Sequence, residues 1–478
     1  MQLNSLARNH SCHAVGRRSM RLLLLAITVA AMSAGVACNF IIPPPDGSGS
    51  GDADGDVGGP IYNNTTDATN KSATYIGGDA CRACHPGIGA QHTVHGHAHK
   101  LTRVQGEPPQ FPAEGTRAGV PNPPEGFEWT DITYIIGGYT RKGRFIDNDG
   151  YILTTGVNAV NTQWNLSFPA NGTTPGFVPY EPDAETPKPY DYSCFVCHTT
   201  GAKAQNEDFP EFQENRPGFI GTWEEAGVQC EACHGPGSNH IPNPAARDIF
   251  VDSAAAACGK CHTRGDDPTV ILAKGGYIQH HEQWPELLAS GGHAEFNCTI
   301  CHDPHVSANY DLDNAIRNQC TDCHTDQSMA LHEGKVYTRS DYTEQLSCVS
   351  CHMPYATKSA ASAGSAVVGD SGRMGDTKTH IFRIDTQATN YSQMFTEDGS
   401  AIVKDSSGLA GVSLDFVCLR CHNGIGSAPI IGTMDIVSDI ATGMHGTQLS
   451  EIAAIRILRT RGWDVSQDGD SAIRLRGW

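Results

Sequence analysis

The chain has no surplus of positive charge: 33 Lys and Arg stand against 52 Asp and Glu, a formal net charge of −19 over 478 residues. A nucleic-acid partner wants a clustered basic face, so that class is excluded. Long hydrophobic runs are missing as well. The apolar stretch from Leu22 to Ala31 falls short of the roughly 20 residues a membrane span needs. With 52 Gly and 27 Pro the chain is neither collagen-like nor low-complexity, and an apolar content of 39% before glycine is counted rules out wholesale disorder. Against this ordinary background two residue types stand out: 18 Cys and 22 His.

Arg17 to Cys38 reads RRSMRLLLLAITVAAMSAGVAC: a basic segment, an apolar one, then small residues. That is the plan of an export signal, assigned to residues 1–38. Cys38 stands where a lipoprotein carries its acyl group and is the lipidation candidate, although Gly35 replaces the usual aliphatic residue. Plain cleavage after one of the alanines is the alternative. Residues 39–74 form an acidic, flexible linker containing PPPDGSGSGDADGDVGGP. Its Asp52, Asp54 and Asp56 lack the Glu that would complete a calcium loop, so they read as solvated charge.

Sixteen of the 18 cysteines fall into eight copies of Cys-x-x-Cys-His. These are Cys81–Cys84–His85, Cys194–Cys197–His198, Cys230–Cys233–His234 and Cys258–Cys261–His262. The others are Cys298–Cys301–His302, Cys320–Cys323–His324, Cys348–Cys351–His352 and Cys418–Cys421–His422. Only Cys12 and Cys38, in the leader, are left over. Two cysteines three apart share one edge of a helical turn, where their sulfurs reach the two vinyl carbons of one haem. The adjacent imidazole then becomes the proximal iron ligand. A single copy would leave disulfide, zinc or thioredoxin-like readings open. Eight copies, each with His in the same place, define an octahaem c-type cytochrome with eight covalently bound haem c. Haem attachment needs an unfolded exported chain, so Arg17–Arg18 is n-region charge and not a twin-arginine signal.

Each iron also needs a sixth ligand, or an open position for chemistry. Beyond the motif histidines and the two in the leader, twelve remain in eight sequence clusters. One cluster is His92, His95, His97 and His99, another His280 with His281; the rest are single. The distal candidates are His97, His240, His281, His293, His305, His332, His380 and His445, one per iron. In CHDPH, the Pro ends the motif helix, so His305 is expected to serve a neighbouring haem, as is His240 after CHGPG. Met353 follows its proximal His too closely to reach that iron's far side. Bis-His ligation and low potentials follow.

The segment YIGGDACRACHPGIGAQHTVHGHAHKL (Tyr75 to Leu101), CFVCHTTG (Cys194 to Gly201) and GVQCEACHGPG (Gly227 to Gly237) resemble haem sites of the multihaem cytochrome c-554 family and of its relatives among bacterial outer-surface octahaem cytochromes. His97 best matches that family's ligand after the first site. The later CHDPH and CHMP pairings are similar to those of paired-motif cytochromes. The resemblance implies electron transfer among stacked haems; eight motifs where the family pattern has four is a departure.

The expected fold is loop-rich, with short helices around the haems, in a domain of residues 75–448 followed by a tail of 449–478. Within it DITYIIGGY, GRFIDNDGYILTT and the Asp147-Asn148-Asp149-Gly150 turn predict a small β-hairpin insertion at about 125–168. Leu449 to Leu458 carries a modest helical pattern. The leading functional expectation is an electron conduit of the cell envelope or outer surface. It would serve other redox proteins or extracellular acceptors, held at the membrane by the candidate lipid anchor. The surplus in the His92–His99 cluster is compatible with a filament or homo-oligomer sharing ligands between protomers. The rival is an octahaem oxidoreductase of small nitrogen or sulfur compounds such as nitrite, hydroxylamine or tetrathionate. It requires one iron with an open position. No Cys-x-x-Cys-Lys is present, and counting gives every iron a partner, so the sequence favours the conduit.

Overall fold

The computed structural model describes residues 67–244, 249–329, 332–360, 367–368, 371–442, 444–445, 465–468 and 472–475. The export segment, Cys38, most of the acidic linker and the Leu449–Leu458 stretch lie outside the described residues. Among the described residues the helices are short, and none is long and apolar enough to cross a membrane.

All eight motifs ride on or directly follow such a short helix. Their ranges are Gly78–Cys84, Tyr192–Phe195, Cys230–His234, Ala255–Gly259, Cys298–Cys301, Cys320–Cys323, Cys348–His352 and Leu414–Val417. One turn suffices to set two sulfurs on one edge, and nothing in the motif asks the helix to continue. Glycine or proline follows several motifs, as in CHPG, CHGPG and CHMP, and breaks the helix there.

The β-rich insertion is larger than a hairpin at 125–168. Seven strands run from Leu101 to Pro189: β1 (Leu101–Arg103), β2 (Ile132–Gly137), β3 (Lys142–Asp147), β4 (Tyr151–Ile152), β5 (Gln163–Asn165), β6 (Gly176–Val178) and β7 (Lys188–Pro189). The order is β1-β2-β3-β4-β7, with β5 pairing β3 and β6, all antiparallel. The expected turn is present between β3 and β4. Asp147 accepts from the Asp149 and Tyr151 amides at 3.0 and 2.8 Å, and Gly150 takes φ +89°, a value that favours glycine. Strands β1, β5, β6 and β7 have only two or three residues each, below the length at which alternation shows in sequence.

Two clusters pack on this sheet. Val104, Val120, Ile132, Ile135, Phe145 and Leu153 are buried on one side. The other joins Leu101, Tyr134, Ile146, Ile152 and Tyr190 to Phe195, Phe219 and Trp223. Trp223 lies 5.0 Å from Phe219 and 5.2 Å from Phe195, the residue between Cys194 and Cys197. The second motif is therefore pinned to the sheet through aromatic packing. A third cluster, from Ile271 to Val417, carries the later motifs.

Candidate haem sites and an anion cluster

The imidazoles pair across the chain. A metal–imidazole bond is about 2 Å, so two back to back leave roughly 6 Å between ring centres. His85 and His240 are 6.4 Å apart, His234 and His305 6.2 Å, His302 and His380 6.1 Å. His324 and His293 are 5.9 Å apart, His422 and His332 6.0 Å, His352 and His445 5.6 Å. In each, the two histidines come from separate stretches, so a metal between them would tie distant chain segments together. Motif and spacing fit haem, which Cys, Cys and the first His of each motif would hold.

Hydrogen bonds to the outer ring nitrogen orient several of these rings and leave Nε2 for iron. Nδ1 of His234 lies 3.0 Å from the Phe250 carbonyl, that of His352 2.8 Å from Phe382's and that of His422 2.7 Å from Pro429's. Nδ1 of His262 faces the Gln283 amide oxygen at 2.9 Å. Carboxylates lie beside two of the facing rings: Asp303 sits 3.1 Å from His305 Nδ1, and Glu286, which accepts from the His380 backbone amide, lies 3.7 Å from the His380 Nδ1.

The seventh motif histidine to find a partner has two. His262 lies 5.7 Å from His281 and 6.1 Å from His97. His198 has no imidazole in ring contact among the described residues: the ring beside it is Tyr190, whose hydroxyl is 3.3 Å from Nδ1, on the side away from the iron position, and His281 reaches it only electrostatically. Counting clusters assigns one candidate to each iron; among the described residues the geometry sets two against His262 and none in ring contact with His198. The other members of the N-terminal cluster are engaged within the chain. His92 Nε2 is 3.0 Å from the Val228 carbonyl, His99 Nε2 2.8 Å from Thr93's, and His95 Nδ1 accepts from the His97 amide at 3.0 Å.

Around His198 the charges are positive. Burial, then Lys100, Arg144, Lys142 and Arg264 in that order, hold its imidazole down at about 3. Lys142 and Arg144 alternate on β3 and therefore share a face, while Phe145, next along the strand, points the other way into the core. Burial also pushes Lys142 well below the ordinary lysine range, with Arg144 beside it. Arg144 stacks 3.7 Å over the Tyr180 ring and donates to Gln163 at 2.9 Å. Arg264 Nη1 is 3.3 Å from His280 Nε2. Of the carboxylates nearby, Asp376 accepts from the Ser359 and Ala360 amides at 2.8 and 2.7 Å, Glu181 pairs with Lys188 at 2.9 Å, and buried Glu282 accepts from the Arg264 amide at 3.2 Å. Half-buried Lys100, Lys142 and Arg144, with exposed Arg264 beside them, favour an anion. The sequence signal was the Lys-x-Arg alternation in β3, which gains meaning only once the strand is laid against the second motif.

Thiols of different motifs meet, which gives the order of neighbours. Cys81 hydrogen-bonds Cys230, Cys197 bonds Cys261, and Cys258 bonds Cys298. Cys233 is close enough to Cys258 to interact with it electrostatically, as are Cys301 with Cys323, Cys320 with Cys348 and Cys351 with Cys418. Motifs one, three, four, five, six, seven and eight thus form a line, and the second branches from the fourth. Buried Glu231, inside the third motif, fastens the first to it by accepting from the amides of Ile76, Gly77 and Gly237 at 3.0, 2.8 and 2.7 Å.

The chain is a multihaem c-type cytochrome. A family model described as doubled CXXCH motif matches residues 291–329, and one described as cytochrome c554 and c-prime matches 181–235. The chain is 27% identical over 177 residues to the multiheme cytochrome MtrA of Shewanella baltica, covering 34% of this chain and 45% of that protein. Identity to the dissimilatory sulfite reductase MccA of Wolinella succinogenes is 22% over 291 residues, 52% of this chain and 36% of that one. The chain thus spans less than half the length of either. The solved octaheme sulfite reductase MccA superposes with a TM-score of 0.51 at 16% identity, covering 80% of this chain and 73% of that one; this likeness is one of fold.

Proposed function

We propose that the protein is an exported octahaem oxidoreductase that reduces a small sulfur or nitrogen oxyanion at the haem held by Cys194, Cys197 and His198. The other seven haems, each between two imidazoles, would deliver electrons along the line of motifs. One observation carries the reading: among the described residues, His198 is the motif histidine with no imidazole facing it, and four cations gather there instead. Iron with a free position supplies electrons and Lewis acidity to a bound anion. Lys100, Lys142, Arg144 and Arg264 would offset the anion's charge and hold its oxygens, and Arg does so with paired donors. The branch position of the second motif suits a terminal electron sink. The relative named as a sulfite reductase supports the substrate class.

The second reading is the conduit, favoured by the unbroken line of thiol neighbours from the first motif to the eighth. Partners would then be redox proteins or extracellular acceptors, at the outer surface or in the periplasm. Reoxidation of the electrochemically reduced holoprotein separates the two. Sulfite, nitrite or hydroxylamine reoxidising it with steady turnover supports the enzyme. Inertness to all three, with fast electron loss to ferric citrate, supports the conduit and ends the first reading.

A further inference from the structure

Two imidazoles compete for one iron position while the neighbouring position has none. His97 and His281 face His262 at 6.1 and 5.7 Å, yet an iron held by His262 has a single sixth site. The two histidines differ in how they are held. His97 is followed by a backbone fixed to the sheet, since the Lys100 carbonyl accepts from the Gly137 amide at 2.9 Å and Leu101 opens β1. Its own carbonyl accepts from the Val228 amide at 3.0 Å. His281 instead sits at φ +70°, a left-handed conformation that a β-carbon disfavours and that persists where the surroundings impose it. Its ring lies 4.7 Å from that of His280, which reaches Arg264 in the cation cluster. The second and fourth motifs, whose His198 and His262 are involved, are direct neighbours through the Cys197–Cys261 thiol contact.

We infer that His97 is the resident sixth ligand of the His262 iron and that His281 is a displaceable ligand for the His198 iron, closing the second haem at rest and yielding to an incoming anion. This deepens the reading of that haem as the reactive one and rests on it. No bond other than iron–imidazole changes, and no electron or proton is required for the exchange. A strained backbone makes release easier, because leaving the iron lets residue 281 relax. The device would keep the site shut to oxygen and stray ligands until an anion strong enough to displace the imidazole enters the cations. The arrangement also explains why the sequence holds enough histidines for eight bis-His irons although the geometry pairs only seven.

The test is electron paramagnetic resonance of the oxidised, fully haem-loaded protein, with cyanide-binding kinetics, in the parent and in His281→Ala, His97→Ala and the double variant. The parent should show a high-spin signal worth less than one haem. His281→Ala should raise it to one full haem and speed cyanide binding at least about tenfold, since the competent state is no longer a minor fraction. His97→Ala should also show one, because His281 is then captured by the His262 iron, and the double variant two. A high-spin signal already equal to one haem in the parent and unchanged in His281→Ala overturns the exchange while leaving the open-site reading intact. A second high-spin haem appearing in His281→Ala beyond a full one in the parent makes His281 the resident ligand of the His262 iron, and overturns it too. No high-spin signal and no cyanide binding in either protein removes the open-site reading itself. Should His281→Ala lose haem, His281→Met keeps a ligand. It must then move the low-spin signal of the second haem; an unmoved signal again overturns the inference.

Discussion

The surroundings of His198 and those of the His302–His380 pair are built on opposite principles. At the latter, a distal imidazole faces the motif at 6.1 Å and a buried carboxylate, Glu286, accepts from the His380 amide. At the former, no imidazole faces the motif, the outer nitrogen meets a tyrosine hydroxyl, and the charges nearby are Lys100, Lys142, Arg144 and Arg264. Carboxylate support raises the basicity of a ligand and stabilises ferric iron. Cations do the reverse and invite an anion. On the proposed reading, one chain contains haem environments that pass electrons on and one that delivers them to a substrate, and the difference comes from the β-sheet laid against a single motif.

Removing the packing between sheet and second motif should break this contrast most severely. Trp223→Ala deletes a buried ring that touches both Phe219 and Phe195, at an expected cost of about 3–5 kcal/mol. In denaturant titrations followed at the Soret band, the second haem should loosen before the rest. A single transition of the ligation of all haems together would mean the sheet is not what holds that site.

Acid should act instead at the seventh and eighth motifs. Arg420, 2% exposed, lies between Cys418 and Cys421 and makes two bonds to Glu344 at 2.7 and 3.0 Å, and one to the Ser350 carbonyl inside the seventh motif. Burial raises the Glu344 carboxyl, but Arg420 more than reverses this and brings it down to about 2 from 4.5. A depressed carboxylate stabilises the fold fully above the unfolded value. That contribution, roughly 2–3 kcal/mol, is therefore lost as pH falls from about 4.5 towards 2. Glu344→Gln should flatten this part of the stability–pH curve; an unchanged slope would show that the pair contributes nothing there.

Neutralising the cations should erase the anion site while leaving the bis-His haems alone. Lys142→Gln or Arg144→Gln should each weaken sulfite binding by about tenfold or more, the equivalent of one charge-assisted hydrogen bond of about 1.5–3 kcal/mol. The readout is a spectral titration, with Lys378→Gln, between the seventh motif and its following turn, as the comparison. Equal effects from all three would reduce the cluster to general surface charge.

The smallest change expected is a shift in one potential. Asp303→Asn removes the negative charge 3.1 Å from His305 Nδ1 and should raise the midpoint of the His234 haem by on the order of 50 mV, a little under a tenfold preference for the reduced form. Potentiometry resolves this against the other haems. A downward shift would contradict the carboxylate's assigned influence.

Much of the haem chemistry is written locally and was legible. Cys-x-x-Cys-His needs only one helical turn, so each motif announces itself without knowledge of the fold. The Asp147–Gly150 turn is equally local. The partner of each imidazole is not: His445 meets His352 across 93 residues and His380 meets His302 across 78, separations that no periodicity encodes. Equal numbers of clusters and irons therefore looked like complete pairing. Geometry instead set His97 and His281 on one motif, because the fourth motif and the start of β1 converge there. The short strands β6 and β7, beyond the expected hairpin, were invisible for a similar reason: they exist only through their pairing.

On the proposed reading, the haem at Cys194, Cys197 and His198 is the one that takes an exogenous anion. The most direct measurement is electron paramagnetic resonance of the oxidised, fully loaded protein during titration with sulfite, in the parent and in Arg144→Gln. The signals of a single haem should change with saturation, and the same change should need markedly more sulfite in Arg144→Gln. Signals that do not respond to sulfite, or a response of equal affinity in Arg144→Gln, would contradict it.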